Sequence, residues 1–134
     1  MIVVDTNVVA YLLLPGARTP EAEAAFHNDP DWAAPMLWRS ELRNVLALYL
    51  RRAEFALSRA VAIMDQAEKL MRGREYQVAA ERILAAAAQS TCTAYDCEFV
   101  ALAQELGVPL VTTDSMILRQ FPATAVALGR FAKT

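Results

Sequence analysis

Residues 95–114 read YDCEFVALAQELGVPLVTTD, and this stretch decides the fold. Phe99, Val100, Ala103 and Leu106 recur at helical spacing, so Tyr95 to Leu106 reads as an amphipathic helix. Gly107 stands where a helix end favours a residue free to turn left-handed. Val108 to Val111 is short and apolar throughout, the pattern of a strand buried on both faces. Thr112-Thr113 then leads to Asp114, and Asp114 to Phe121 reads as a short helix closed by Pro122. Helix, tight stop, apolar strand, acid and helix in succession describe a parallel sheet with helices packed on it.

Working outward, the N-terminus repeats the unit. Ile2-Val3-Val4 is a β-branched run that ends at Asp5, and Asn7 to Leu14 looks helical until Pro15-Gly16 stops it. Thr19-Pro20-Glu21 carries a cap residue, a first-turn proline and an acid, and starts a helix that runs to about Asn28. Asp29-Pro30-Asp31 is a turn before a short strand at Trp32 to Ala34. Met36 to Arg52, Ser58 to Arg72 and Val78 to Gln89 read as helices, Ser90 to Thr93 as a loop, and Ala125 to Leu128 as a last strand. The expectation is an α/β chain, a three-layer α/β/α sandwich around a short parallel sheet. Its 134 residues are one domain's length, so residues 1–134 are read as a single domain.

Scarcity excludes much chemistry. His27 is the only histidine, so a ribonuclease built on two histidines is ruled out, and His27 reads as a surface or half-buried residue. The four glycines are isolated and form no phosphate-cradling loop. Cys92 and Cys97 make neither a disulfide framework nor, with one histidine, a four-ligand zinc site. The longest uncharged stretch, Ile83 to Tyr95, is 13 residues, too short to span a bilayer. The N-terminus has no basic region of the kind a signal peptide carries, so the cytoplasm is the expected location.

Acids remain as the catalytic material. Asp5 follows a strand, where open α/β sheets bind ligands, and Asp114 repeats that arrangement; either could equally cap the helix that follows. Glu41 shares a helical stripe with Leu37, Val45 and Leu48, which is costly for an unpaired carboxylate; Arg39 and Arg43 lie at i±2 and point away from it. Asp96 stands one turn before Phe99 and Val100, and could also be a cap. Were the four to converge, charges about 4 Å apart would repel by about 4 kcal/mol at an effective dielectric near 20. Protonation or a divalent cation must then compensate. An all-oxygen site suits Mg²⁺ or Mn²⁺, the usual equipment of phosphoryl chemistry with water as nucleophile.

In its motifs the chain resembles the PIN domain, specifically toxins of the VapC type. The matching pieces are VVDTNVVAYL (3–12), RSELRNVLALYLRR (39–52), YDCEFVALAQELGVPLVTTD (95–114) and FPATAVALG (121–129), in the expected order and spacing. The resemblance implies an α/β/α sandwich that cuts single-stranded or structured RNA with Mg²⁺ or Mn²⁺, leaving 5′-phosphate and 3′-hydroxyl ends. Carried over position by position, it implies Asp5, Glu41, Asp96 and Asp114 as the catalytic, metal-holding acids. It implies Thr6 or Asn7, Ser40 and Thr112 as polar helpers, and Asn44, one turn after Glu41, could join them. Many relatives carry a further acid soon after the last; Ser115 to Leu118 offers none. The resemblance also implies a homodimer and a VapB-type antitoxin whose C-terminal segment lies in a groove between the helices.

Charge permits an RNA substrate. The chain carries 13 basic and 15 acidic residues, and with the four candidate acids set aside the bases are in slight excess. Arg39, Arg43, Arg51 and Arg52 stand on one helix against Glu41 alone. That stripe could contact phosphates, Arg39 and Arg43 foremost; it could equally be a solvated face or an antitoxin-docking surface. A haloacid-dehalogenase-like phosphatase also begins strand-Asp, but position 7 is Asn and the only lysines are Lys69 and Lys133. Two further possibilities stay open: a PIN nuclease of RNA maturation, and a non-catalytic PIN module that binds RNA or protein.

Overall fold

Five short strands, all parallel, build the centre of the protein in a computed structural model that describes residues 1–134. Strand β1 (Ile2–Val4) leads through helices α1 (Thr6–Leu13) and α2 (Thr19–Asn28) to β2 (Trp32–Pro35). Helices α3 (Leu37–Arg51) and α4 (Leu57–Met71) follow, then β3 (Glu75–Tyr76). Helices α5 (Ala80–Ala88) and α6 (Ala94–Leu106) lead to β4 (Leu110–Thr112), α7 (Ser115–Gln120), β5 (Ala125–Ala127) and α8 (Leu128–Ala132).

The order across the sheet is β3-β2-β1-β4-β5. From β1 the chain first moves outward in one direction to β2 and β3. It then returns to add β4 and β5 on the other side. Right-handed crossovers therefore put the two sets of helices on opposite faces. Helices α1 to α4 pack among themselves, with α8 on α2, while α5 packs on α6, and no substantial contact joins the two sets. This is the α/β/α sandwich expected. β1 and β2 are buried at every residue, as are β4's three, which explains why these strands read as unbroken apolar runs.

Two elements escape the sequence reading. β3 is only Glu75–Tyr76, held on β2 by Ala34 N–H to the Arg74 carbonyl at 3.1 Å and Met36 N–H to the Tyr76 carbonyl at 2.9 Å. α8 is a single turn after β5. Gly107 closes α6 at φ +66°, as expected, donating its N–H to the Ala103 and Gln104 carbonyls.

The inward stripe of α3 is displaced from the expected one. Trp38, Leu42 and Leu46 face the core, Leu37, Glu41 and Val45 sit half-buried beside it, and Leu48 is 42% exposed. The reason is that α1 and α4 both pack on α3, so the buried face points between them and leaves the Glu41 row at the edge of a cleft.

Candidate active site

In a parallel sheet every strand ends at the same edge, and the strand order reverses between β1 and β4: the chain leaves β1 toward β2 and β3, then returns to add β4 on the other side of β1. The crevice beyond the ends of β1 and β4 is therefore the topological switch point, where open α/β sheets bind their ligands. Asp5 is the residue after β1, and Asp114 follows β4 by two. α3 leaves β2 at that edge and brings Glu41 in its second turn. α6 runs antiparallel to the strands, so its first turn, with Asp96, arrives there too. The four acids line one pocket of about 420 Å³, with Thr6, Asn7, Leu37, Ser40, Asn44, Val45 and Tyr95.

Two of the acids are also helix caps. Asp5 caps α1: Thr6 N–H donates to Oδ1 at 2.8 Å. Asp114 caps α7: Ile117 N–H donates to Oδ1 at 2.9 Å. Asp96 is not a cap; Thr93 takes that position and accepts the Asp96 N–H at 3.1 Å. Glu41 is not a cap either, and it pairs with neither Arg39 nor Arg43. Thr6 Oγ1 donates to its Oε1 at 2.7 Å.

Two buried hydroxyls thus hold the acids in place. Thr112, fully buried at the end of β4, donates its hydroxyl to Asp5 Oδ2 at 2.7 Å and accepts the Asp114 N–H at 3.0 Å. Thr6, 4% exposed, ties α1 to α3 through Glu41. Ser40 and Asn44 line the pocket wall, with Arg43 Nη2 donating to Ser40 Oγ at 3.1 Å.

The electrostatics follow from burial and crowding. Burial pushes Asp5 up first; the hydrogen bonds from Thr112 and Thr6 oppose it, and the charges of Asp96 and Asp114 add to it. Burial likewise raises Glu41, against its bond from Thr6 and with help from Asp5, Asp96 and Glu98. Burial and then the charge of Asp114 raise Asp96, against hydrogen bonding from Thr93. No lysine, arginine, histidine or cysteine lines the pocket.

The arginine stripe is corrected in part. Arg39 is not a free phosphate contact. Its Nε and Nη2 grip both oxygens of Glu75 at 2.6 and 2.7 Å, and its Nη1 holds Glu68 at 2.6 Å. Trp38 Nε1 donates to the same Glu75 at 2.8 Å. Arg39 therefore ties α3 to α4 and to the edge strand β3. The acids that claim it stand 29 and 36 residues away in sequence, so no local pattern announces them. Arg43 stays exposed. His27 is exposed, and Cys92 and Cys97 are buried free thiols. Leu37, Val45 and Tyr95 line the pocket without being read as site residues from the sequence; for Tyr95, 64% exposed at the rim, only its place next to Asp96 signals it.

A family model described as PIN domain matches residues 2–122. The chain belongs to the PIN domain family. Ribonuclease VapC3 of Pyrobaculum aerophilum is 28% identical over 125 residues, which cover 91% of this PIN chain and 95% of that protein. A toxin–antitoxin complex from Klebsiella pneumoniae contains a chain of the same fold, with TM-score 0.72 at 20% identity, covering 96% of this chain and 98% of that one. FitAcB from Neisseria gonorrhoeae superposes with TM-score 0.66 at 20% identity, covering 100% of this chain and 94% of that one.

The donor chemistry of this PIN pocket fits a hard divalent cation. It offers carboxylates, hydroxyls and amides and no soft ligand, and no cationic side chain is among its lining residues. The carboxylates share the pocket without closing into a ready ligand cage of three or more. No helix in the chain is long and apolar enough to cross a membrane.

Proposed function

We propose that this PIN chain is an endoribonuclease dependent on Mg²⁺ or Mn²⁺ and the toxin of a VapBC-type toxin–antitoxin pair. The observation that carries this reading is the pocket itself: four carboxylates from four separate elements, with no cation among its lining side chains. The likeness to a protein called Ribonuclease VapC3 and to a chain of a toxin–antitoxin complex supports it.

Asp5, Asp96 and Asp114 would hold the ion, with Glu41 as a ligand, direct or through water. When bound, the ion supplies counter-charge to a phosphodiester and an activated water. The chain's own groups do the positioning. Thr112 fixes Asp5 and the start of the Asp114 turn together, and Thr6 fixes Glu41. Glu41 Oε1 accepts from Thr6, and Oε2, with no hydrogen-bond partner in the chain, is the oxygen placed to take a proton from a water. Ser40 and Asn44 present neutral donors for non-bridging phosphate oxygens, with Asn7 opposite them and exposed Arg43 behind Ser40. Attack by water needs no 2′-hydroxyl, which suits a chain without a histidine pair.

The antitoxin would take the groove between α3 and α4. Leu46, Leu50, Val61 and Met64 line it, with Arg43 and Asp65 at its edge, and Val61 is 52% exposed. A homodimer is part of the same reading; on α5, Leu84 is 63% exposed.

The test is induced expression in cells with mapping of RNA ends, wild type beside Asp96→Asn. Growth arrest with discrete new 5′ ends from wild type alone is the expected result. New ends without arrest would move the protein to RNA maturation. Neither effect, with no cleavage by purified protein in Mg²⁺ or Mn²⁺, would leave a binding module.

A further inference from the structure

The acidic pocket does not stand alone. Asn7 and Val45 line both it and a second pocket of about 320 Å³, and Leu14, Pro15 and Tyr49 line both that pocket and a third of about 190 Å³. The three form one groove between α1 and α3. Its walls are helical rows: Asn7 and Tyr11 on the first helix, with Leu14 just past its end, and Glu41, Val45 and Tyr49 at steps of four on the other. Glu41 to Tyr49 rises about 12 Å along α3.

The groove changes character along its length. Near the acids it offers hydroxyls and amides. Farther on it becomes aromatic and cationic. Arg18 lies over the Tyr11 ring, 5.6 Å from its centroid. Tyr49 and Phe55 stack with centroids 5.4 Å apart and planes 21° from parallel. Arg59 lies over the Phe55 ring, 5.6 Å from its centroid. All three rings are half-buried and Arg59 is exposed, so a π surface and a guanidinium plane reach solvent at the distal end. Aromatic faces beside arginines are what single-stranded nucleic acid stacks upon.

We propose that the α1–α3 groove is a track for single-stranded RNA, in which a base a few nucleotides from the scissile phosphate stacks at the Tyr49–Phe55–Arg59 platform. The proposal rests on the nuclease reading and adds a subsite to it: a stacking platform away from the acids, which takes an unpaired base because a duplex cannot splay one onto it. Charge alone cannot carry the binding. Glu54 lines the distal pocket beside Arg59, and Arg18 Nε is paired with Glu21 at 3.2 Å. Stacking must supply most of the affinity, and its salt dependence is correspondingly shallow. A protein partner fits the other side of α3 better, where the α3–α4 groove is lined by aliphatic side chains and no ring.

The test uses the full chain carrying Asp96→Asn, with Mg²⁺ present, and a fluorescein-labelled oligouridylate about ten nucleotides long as the probe for anisotropy. Adding Tyr49→Leu or Arg59→Gln should each raise Kd about ten-fold, which is ~1.4 kcal/mol and within the range of one base–aromatic stack. Tyr49→Phe should restore binding, because the ring is what matters. Arg130→Gln, an exposed arginine away from the groove, should change nothing. Arg59 is exposed, so its removal leaves the fold intact even if Tyr49→Leu loosens it. Unchanged Kd in both groove variants overturns the track. So does an equal loss with Arg130→Gln, which would mean diffuse charge. Retained RNA affinity with lost affinity for an amphipathic helical peptide would assign the groove to a protein. Absence of cleavage by wild type would sink the nuclease reading and leave this binding comparison standing.

Discussion

Thr6 is a single hydroxyl on which an acid from a different helix depends. It holds Glu41 at 2.7 Å from a nearly inaccessible position, so a substitution there acts on the carboxylate without altering the pocket wall's charge. Thr6→Val keeps the shape and removes the donor. Cleavage by purified protein should fall about 10- to 100-fold, the range for losing an outer hydrogen bond to a metal-ligating residue, while Thr6→Ser stays near wild type. Asp96 allows a test without catalysis. Burial foremost, and crowding by neighbouring acids, raise Asp5, Glu41 and Asp96 above their ordinary 3.8 or 4.5. A carboxyl raised in the folded state binds its proton more tightly there than in the unfolded chain. Its ionisation therefore destabilises, and stability increases as pH falls through the raised value toward the ordinary one. Metal-free protein should melt a few degrees higher near about pH 5 than near about pH 7.5. Asp96→Asn should raise the neutral-pH melting temperature and shrink that difference, which calorimetry in EDTA would read.

At the scale of elements, the tie between α3, α4 and β3 is the clearest case of long-range order. Arg39 meets Glu75 in a two-toothed grip with side-chain exposures of 30% and 13%, and Glu68 adds a third contact. Arg39→Ala should cost about 1–3 kcal/mol by urea denaturation at constant slope, since it strands two acids, one of them largely buried. Arg39→Lys should recover little of this, because an ammonium cannot span both oxygens. Glu75 is held below its ordinary 4.5, first by the hydrogen bonds from Arg39. Its contribution is present above that value and lost as pH falls through the lowered one, below the window in which the acidic pocket gains stability.

The same elements mark where a sequence is readable. β1, β4 and the Gly107 stop are local facts: apolar runs and a residue at φ +66°. All four acids are nameable because each carries a local oddity, after a strand, in an apolar row, or at a helix start. Arg39's partners and the two-residue β3 are made by contacts between separate elements, so no window of sequence contains them. Leu48 misleads for a related reason: periodicity finds a stripe, while neighbouring helices decide which edge of it faces inward.

On the scale of the whole molecule, the pocket joins helices α3 and α6, from opposite faces of the sheet, to the ends of the paired strands β1 and β4. A divalent ion bound there would bridge β1, α3, α6 and the β4–α7 turn, and anything that binds only the folded chain stabilises it by mass action. At about one hundred times Kd, Mn²⁺ should add ~2.7 kcal/mol to wild-type stability. Asp5→Asn and Asp114→Asn should lose most of that increment, which a melting series against metal concentration would measure. Those two substitutions have a further property. Asp5 and Asp114 each begin a helix by accepting backbone N–H groups, a task asparagine or serine performs as well and alanine does not. A lineage released from any need to cut would thus meet a ratchet. Architecture keeps rejecting aliphatic replacements at these two places long after chemistry has stopped caring, and the scars of lost activity should be amides and alcohols.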